Sequence, residues 1–320
     1  MADSTQGDTD VQYLGLFVPA LIALIAGLVI HSFIIGVNVN DWWKGRPVTP
    51  VDHIVTSLGI SRMYTQCAAT LYVFLIRVFL KKMESHITVV ILSTVYDFFA
   101  YANAWLTSLL CIVLCMKISN FHTRLFLYLR GVIVHRTVYC IVAAVLLSTI
   151  SCLIPLMMTI PDVTKDGTNN ITMHNVYRYC NHRKALYYYI IVSSLPQLFS
   201  CIPSVLLITS LYHHTTKMKM SSNLSVNLET YYSVIKFVSF TLMYRAVYLF
   251  VNFVHIFYYY FYCVRLPWLR IVLEFLPALH SSYLIYRTAK LRSQMSKALQ
   301  NLIDFLFQRK DTETRENIQM

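Results

Sequence analysis

An all-α bundle of seven membrane-spanning helices is the fold this sequence predicts, and three observations carry it. Seven apolar stretches run at residues 13–39, 53–78, 86–116, 131–159, 185–211, 231–257 and 268–286. Each is near or above the roughly 18–20 residues that cross a bilayer as a helix. Apolar residues make up 57% of the chain and charged residues only 13%, against about 25% charged in soluble domains. Backbone groups in hydrocarbon find no water, so each stretch must satisfy its own amides as a helix. The connections between stretches are short, which makes residues 1–320 one domain, with a tail at 287–320.

The first stretch sets the orientation. The twelve residues before it are polar and acidic (Asp3, Asp8, Asp10), with no basic segment that would mark a cleavable signal. The stretch is therefore expected to act as its own insertion signal. Lys44 and Arg46 follow it and no Lys or Arg precedes it, so by the positive-inside rule the N-terminus lies outside. Seven crossings then leave the C-terminus in the cytosol, where Arg287, Lys290, Arg292 and Lys297 agree. Arg77, Lys81, Lys82, Arg183, Lys184 and Arg265 fall in outer loops and run against the rule; the flank of the first stretch usually dominates. Gly45, Pro47 and Pro50 break the first inner loop, 40–52.

The second stretch holds Arg62 in its inner half, which reads as a structural or switching polar node. In the third, Asp97 lies some ten residues from the outer end, among Tyr96, Tyr101 and Trp105. The fourth carries Pro155 and leads into the longest outer loop, 160–184, where Asn170-Ile171-Thr172 is a glycosylation sequon. The fifth contains Pro196 and Pro203. A second sequon, Asn223-Leu224-Ser225, falls in the inner loop 212–230 and is expected to stay unused. In the sixth, Lys236 reads as snorkelling to the inner interface, while Arg245 sits near the middle beside Tyr244 and Tyr248. The seventh carries Arg270 and Glu274 at i, i+4, able to share a face, and then Pro277. Pro196 and Pro277 are candidate moving parts. Beyond it, Leu291, Met295, Leu299, Leu302, Ile303 and Leu306 recur at helical spacing. That pattern is an amphipathic helix on the inner membrane face, or else a solvent-facing tail.

A charge at the bilayer centre costs about 2.5–3.5 kcal/mol on insertion scales, so charges inside spans point to a purpose. Asp97, Arg245, Arg270 and Glu274 are expected to converge on an outward-opening cavity between spans three, six and seven, or to neutralise one another across helices. Tyr96, Tyr101, Tyr244 and Tyr248 add aromatic surface at the same depth, as packing or as ligand contact. Asp97 and Glu274 would favour cationic or hydrogen-bonding ligands, and Arg270 would admit anionic groups near the mouth.

The net charge of +12 is scattered between spans and forms no basic stripe, which argues against nucleic-acid binding. Cys67, Cys111, Cys115, Cys140, Cys152 and Cys201 lie inside spans and read as buried apolar side chains. Cys180 and Cys263 fall in outer loops, and their pairing is left open. No Cys/His spacing suggests a metal, no cofactor is implied, and no Ser/His/Asp set or phosphate loop suggests an enzyme. A small-molecule receptor fits seven spans better than a transporter, which would bring inverted repeats or paired broken helices.

Four blocks of residues carry a resemblance. The first is Phe33-Ile34, Val37-Asn38, Asp41-Trp42, Asp52-His53-Ile54 and Leu58-Gly59-Ile60-Ser61-Arg62. The second is Trp105-Leu106 and, twelve residues after Trp105, Lys117-Ile118-Ser119-Asn120-Phe121, then Leu125-Phe126-Leu127-Tyr128-Leu129-Arg130. The third is Leu195-Pro196, Leu206-Leu207-Ile208, Ser210-Leu211, His214 and Lys217-Met218. The fourth is Pro277, His280-Ser281, Leu284-Ile285 and Lys290-Leu291-Arg292. In order and spacing they resemble the type 2 (bitter) taste receptors, over nearly the whole chain. The departures are His31 where the family usually has Asn, His122 after Asn120-Phe121, and Arg287-Thr288-Ala289 before Lys290. Tyr96 stands where many relatives have a ligand-stacking Trp, Ala100 where many have a ligand-binding Asn, and Arg270 where Glu is common.

The resemblance implies a plasma-membrane, G protein-coupled receptor that detects bitter small molecules in an outer pocket between spans three, five, six and seven and activates a gustducin-type, inhibitory-class G protein. It implies ligand contacts at Tyr96, Asp97, Ala100, Tyr101, Tyr244, Tyr248, Arg270 and Glu274, and structural or switching roles for His31, Arg62, Trp105, Pro196 and His280. Lys117, His214, Lys217 and Lys219 would meet the G protein, or else anionic lipid headgroups. Another seven-span chemoreceptor family, the vomeronasal type 1 group, is the alternative, and the Lys117–Phe121 and Leu58–Arg62 blocks argue against it. The topology has a direct check. Deglycosylation should shift the chain's electrophoretic mobility, Asn170→Gln should abolish the shift, and Asn223→Gln should leave it intact.

Overall fold

The computed structural model describes residues 4–78, 86–118, 124, 128, 131–133, 136–166, 183–220, 225–262, 264 and 266–319. Among these there is no strand. The long helices are α1 (Ser4–Trp43), α2 (Pro50–Val78), α3 (His86–Ile118), α4 (Thr137–Asp166), α5 (Arg183–Met220), α6 (Ser225–Tyr262), α7 (Pro267–Arg287) and α8 (Ala289–Gln319). The first seven close a ring. α1 packs on α2 and α7, α6 on α5 and α7, and α3 on α2, α4 and α5. In α3, 61% of the apolar segment is buried, against 22–28% in the other four strongly apolar helices, which makes α3 the central post.

Those five helices, with segments Val18–Trp43, Ile91–Ile118, Thr137–Ile154, Tyr187–His213 and Tyr232–Tyr259, are long and apolar enough to cross a membrane. α2 and α7 are less apolar because they carry Arg62, Gln66, Glu274, His280 and Ser281, all turned into the bundle and buried. The outer surface is the reverse of a soluble protein's. Ile22, Ile25 and Val29 on α1, and Val142, Leu146 and Ile150 on α4, lie exposed at helical spacing, a face suited to lipid. Inside, Ile34, Ile54, Leu58, Leu106, Leu110, Leu284 and Leu291 form the largest apolar core. A second cluster, Cys115, Leu207, Leu211 and Val238, joins α3, α5 and α6.

Helix ends depart from the apolar boundaries. α5 continues to Met220 and α6 begins at Ser225, so most of the expected inner loop 212–230 is helix. Hydropathy marks where lipid ends; polar residues carry the backbone hydrogen bonds onward in water. At the fourth span, residues 131–133 are helical, Arg136 lies in a turn, and α4 starts at Thr137, whose hydroxyl donates to the Ile133 carbonyl at 2.9 Å. Gly45, with φ of +66°, takes the left-handed conformation that only glycine adopts freely and turns the chain from α1 toward α2. Pro196 and Pro203 lie inside α5 and Pro277 inside α7.

At the base, Lys290 of α8 binds three partners. Its Nζ lies 2.9 Å from Asp41 Oδ2, 3.5 Å from Asp52 Oδ1 and 3.0 Å from Asn38 Oδ1. Asp41 also pairs with Arg46 at 2.9 Å. One cation thus ties α8 to both arms of the α1–α2 turn. Leu291 is buried and Met295 packs on the core, while Leu299, Leu302, Ile303, Phe305 and Phe307 farther along α8 stay exposed. The first turns of α8 thus dock on the bundle.

Gly27 lets α1 approach α2. A Cβ there would sit 2.0 Å from Gln66 Oε1, and Gln66, 1% exposed, donates from Nε2 to the Glu274 carbonyl at 2.9 Å. Gly27→Ala should therefore push Gln66 off α7 and leave a buried amide unpaired, a loss of about 1–3 kcal/mol. The expected outcome is a lower apparent Tm of the detergent-purified chain and less of it at the cell surface.

Candidate functional site

Two polar assemblies occupy the interior. The deeper one centres on Arg62, 1% exposed. Its Nε donates to Asn103 Oδ1 on α3 at 3.0 Å. Its Nη1 faces three acceptors on α7: Ser281 Oγ at 2.6 Å, His280 Nδ1 at 3.1 Å and the Pro277 carbonyl at 3.4 Å. His31 Nε2 on α1 lies 3.0 Å from the same Ser281 hydroxyl. Thr241 on α6 donates to the Phe237 carbonyl at 2.9 Å, and its oxygen lies 3.3 Å from His280 Nε2.

These contacts set the protonation of His280. A guanidinium has only donors, so Nδ1 facing Arg62 must be bare. Thr241 has committed its proton, so Nε2 carries the hydrogen and donates to it. Neutral His280 thus relays between Arg62 and α6. The Tyr244 ring lies 4.5 Å from the His280 ring, and the Arg62 guanidinium stands 5.9 Å from the Tyr244 centroid. Side chains from α1, α2, α3, α6 and α7 meet here.

The second assembly lies toward the N-terminal end of α3. A cavity of about 50 Å³ opens between three helices. α3 contributes Tyr96, Asp97, Ala100, Tyr101 and Ala104, α5 contributes Tyr189, Ser193 and Gln197, and α6 contributes Arg245, Tyr248, Leu249 and Asn252. Each set repeats every three or four residues, one face per helix. The small side chains of Ala100 and Ala104 leave the space. Asn252 Nδ2 donates to the Tyr189 hydroxyl, and the Tyr101 and Tyr189 rings lie 6.5 Å apart. At the floor, Arg245 Nη2 approaches Ser108 Oγ at 3.4 Å, and Ser108 Oγ lies 2.5 Å from the Pro196 carbonyl. That chain joins α6, α3 and α5.

Five of the sequence-derived ligand positions come together here: Tyr96, Asp97, Ala100, Tyr101 and Tyr248. Three do not line the cavity. Tyr244 turns to the Arg62 cluster. Arg270 and Glu274 face one another on α7, with Nε to Oε1 at 3.9 Å, and the Arg270 guanidinium lies 4.4 Å over the Tyr96 ring. Of the four charges, Asp97 and Arg245 line the cavity, and Arg270 with Glu274 stands beside it.

The sequence reading singled out Arg245 by its charge but missed Ala104, Tyr189, Ser193, Gln197, Leu249 and Asn252. The i, i+4 spacing of Tyr189, Ser193 and Gln197 was the available signal.

Of the switch positions, His31, Arg62 and His280 share one cluster, Pro196 borders the cavity floor, and Trp105 packs 5.7 Å from the Phe199 ring. Lys117 is exposed near the end of α3. His214, Lys217 and Lys219 sit on the last turns of α5, and their side chains lie outside the described residues, as do Asn170, Cys180 and Cys263. Of the six cysteines placed inside spans, Cys111, Cys115 and Cys152 are buried and Cys67, Cys140 and Cys201 half-buried. Among the described residues no group of His, Cys, Asp and Glu is arranged to hold a metal ion.

The family model described as Taste receptor protein (TAS2R) matches residues 10–303. Among curated proteins, the chain is similar to taste receptor type 2 member 117 of Rattus norvegicus, 29% identical over 61% of this chain and 62% of that protein. It is also similar to member 9 of Macaca mulatta, 26% identical over 90% of this chain and 94% of that protein, and to member 41 of Mus musculus, 23% identical over 85% and 91%. The chain thus spans a little under two thirds of the rat relative and nearly all of the other two.

The Arg62 cluster has a measurable consequence. Arg62→Ala removes the shared donor and leaves Asn103, His280 and Ser281 short of a buried partner, a loss of about 1–3 kcal/mol for each group left unsatisfied. Surface expression should collapse. Arg62→Lys keeps the charge but loses the planar fork, and should restore it only in part.

Proposed function

The chain belongs to the TAS2R taste receptor family, and on that premise we propose that it is a plasma-membrane receptor for bitter small molecules, with the cavity between α3, α5 and α6 as the agonist site. Membership places it among receptors and not enzymes. α1 to α7 all cross the bilayer; α2 and α7 do so with their polar residues sheltered inside. The N-terminus and the mouth of the cavity face outward, Asn170 carries a glycan, and the C-terminus with α8 lies in the cytosol. The inner ends of α3 and α5, with Lys117, His214, Lys217 and Lys219, receive a gustducin-type G protein.

The observation that carries the reading is the placement of two charges, half-buried Asp97 and buried Arg245, on one tyrosine-lined cavity. Ligand sites combine apolar walls with a few fixed polar groups. The cavity holds only about 50 Å³, whereas pockets for drug-sized ligands run from about 300 Å³. An agonist must therefore part α3, α5 and α6. It shifts the population only by binding the parted arrangement more tightly than the closed one. Arg245 lines the cavity and the adjacent Tyr244 touches the Arg62 cluster, so displacement of α6 at one is felt at the other. Arg270, beside Glu274 and over the Tyr96 ring, serves the rim.

The test is a screen of chemically diverse bitter compounds on cells carrying this chain with a gustducin-chimeric Gα. A subset should release calcium, and Asp97→Asn should shift the dose response of the charged agonists several-fold. An unchanged response to every active compound would remove Asp97 from the site.

A further inference from the structure

Arg245 is held far less completely than its environment demands. It is 6% exposed, yet its Nε has no hydrogen-bond partner, and Nη2 has only the long 3.4 Å approach to Ser108. Among the described residues no carboxylate stands within ion-pair distance of it. Arg62, the other buried guanidinium of the interior, meets four acceptors through Nε and Nη1 and lacks a partner at Nη2. A guanidinium offers five N–H donors in a planar fork, so most of the capacity of Arg245 is unspent, and it borders the cavity.

The one carboxylate on the same cavity does not fill that role. Asp97 and Ser108, the α3 residue that Arg245 touches, are eleven positions apart on one helix, about 16 Å along its axis. Asp97 stands at the Tyr96 end, where the Arg270 guanidinium lies over the Tyr96 ring, and Arg245 stands at the floor. The two charges occupy opposite ends of the cavity, and neither neutralises the other.

We infer that the cavity selects agonists bearing an acidic group, a carboxylate or sulfonate, which seats on the free edge of the Arg245 guanidinium while an aromatic body lies against Tyr101, Tyr189 and Tyr248. The inference rests on the reading of this cavity as the agonist site. An oxyanion matches the guanidinium fork with two parallel hydrogen bonds, and charge-assisted bonds of this kind are the strong ones. Water supplies the missing contacts less well, because the uncompensated charge stays buried. The present cavity has room for the acidic head, and the aromatic body fits once α3, α5 and α6 part.

The experiment uses a panel of aromatic carboxylic acids, each with its methyl ester and primary amide, in the calcium-release assay on the full chain. Surface level is measured on intact cells through an N-terminal epitope. The acids should act at concentrations at least tenfold lower than their esters and amides. Arg245→Gln, compared at matched surface level, should close that gap, and Arg245→Lys should keep part of it. Equal potency of acids and esters on the unaltered chain overturns the inference, as does a panel in which only neutral compounds act or a gap that survives Arg245→Gln. Ala104→Leu, which fills the cavity from α3, separates the two levels of the argument. If it leaves the acid responses intact at normal surface level, the cavity is not the agonist site and both readings fall. If it abolishes responses that never distinguished acid from ester, the site stands and only the acidic preference falls.

Discussion

A guanidinium enclosed by helices must have its hydrogen bonds met by protein, and the fold is arranged around that requirement at Arg62. A charge taken out of water without a partner costs several kcal/mol against folding. The acceptors that meet Arg62 come from α3 and α7. They in turn hold α1 through His31 and α6 through Thr241. No apolar packing between these helices distinguishes one rotational setting from another as sharply, because lipid competes equally for any apolar face. The polar cluster thus fixes which face of each helix looks inward.

Two further polar ties act on the same principle. Lys290 gathers Asp41, Asp52 and Asn38, and so sets α8 against the α1–α2 turn. Ser108 joins α3 to the Pro196 carbonyl of α5 and to Arg245 of α6. The difference between the two buried arginines is instructive. Arg62 meets four acceptors, with Nη2 alone unpartnered, and reads as architecture, while Arg245 has one long contact at the edge of a cavity. The same residue type thus reads as structure in one place and as recognition in the other, and only its partners decide which.

The geometry also relates recognition to the rest of the bundle. Tyr244 and Arg245 are neighbours on α6, one against His280 and the other on the cavity. A helix moves as a rigid rod over such a distance, so a change at the cavity reaches the Arg62 cluster without any separate pathway. α6 begins at Ser225 and α5 runs to Met220, so both helices extend beyond the apolar part of the chain.

The apolar stretches and the charges within them were legible from the residues alone, since a bilayer-length apolar run and a charge in hydrocarbon each carry a large free-energy signature. Arg62, Asp97, Arg245 and Glu274 were conspicuous for that reason, and four motif blocks were enough to suggest the family. Ser193, Gln197 and Asn252 gave no such signal, because uncharged polar residues are far cheaper to place in a span, and Ala104 matters only by being small opposite larger neighbours. The i, i+4 pairing of Arg270 with Glu274 could be read from spacing, but not that Arg245 turns to Ser108, for that partnership depends on the rotation and height of separate helices. The chain by itself determined which segments are helices and which of their residues need a partner. Tertiary structure decided who that partner is, because distances between helices are set by packing and by the mutual satisfaction of buried polar groups.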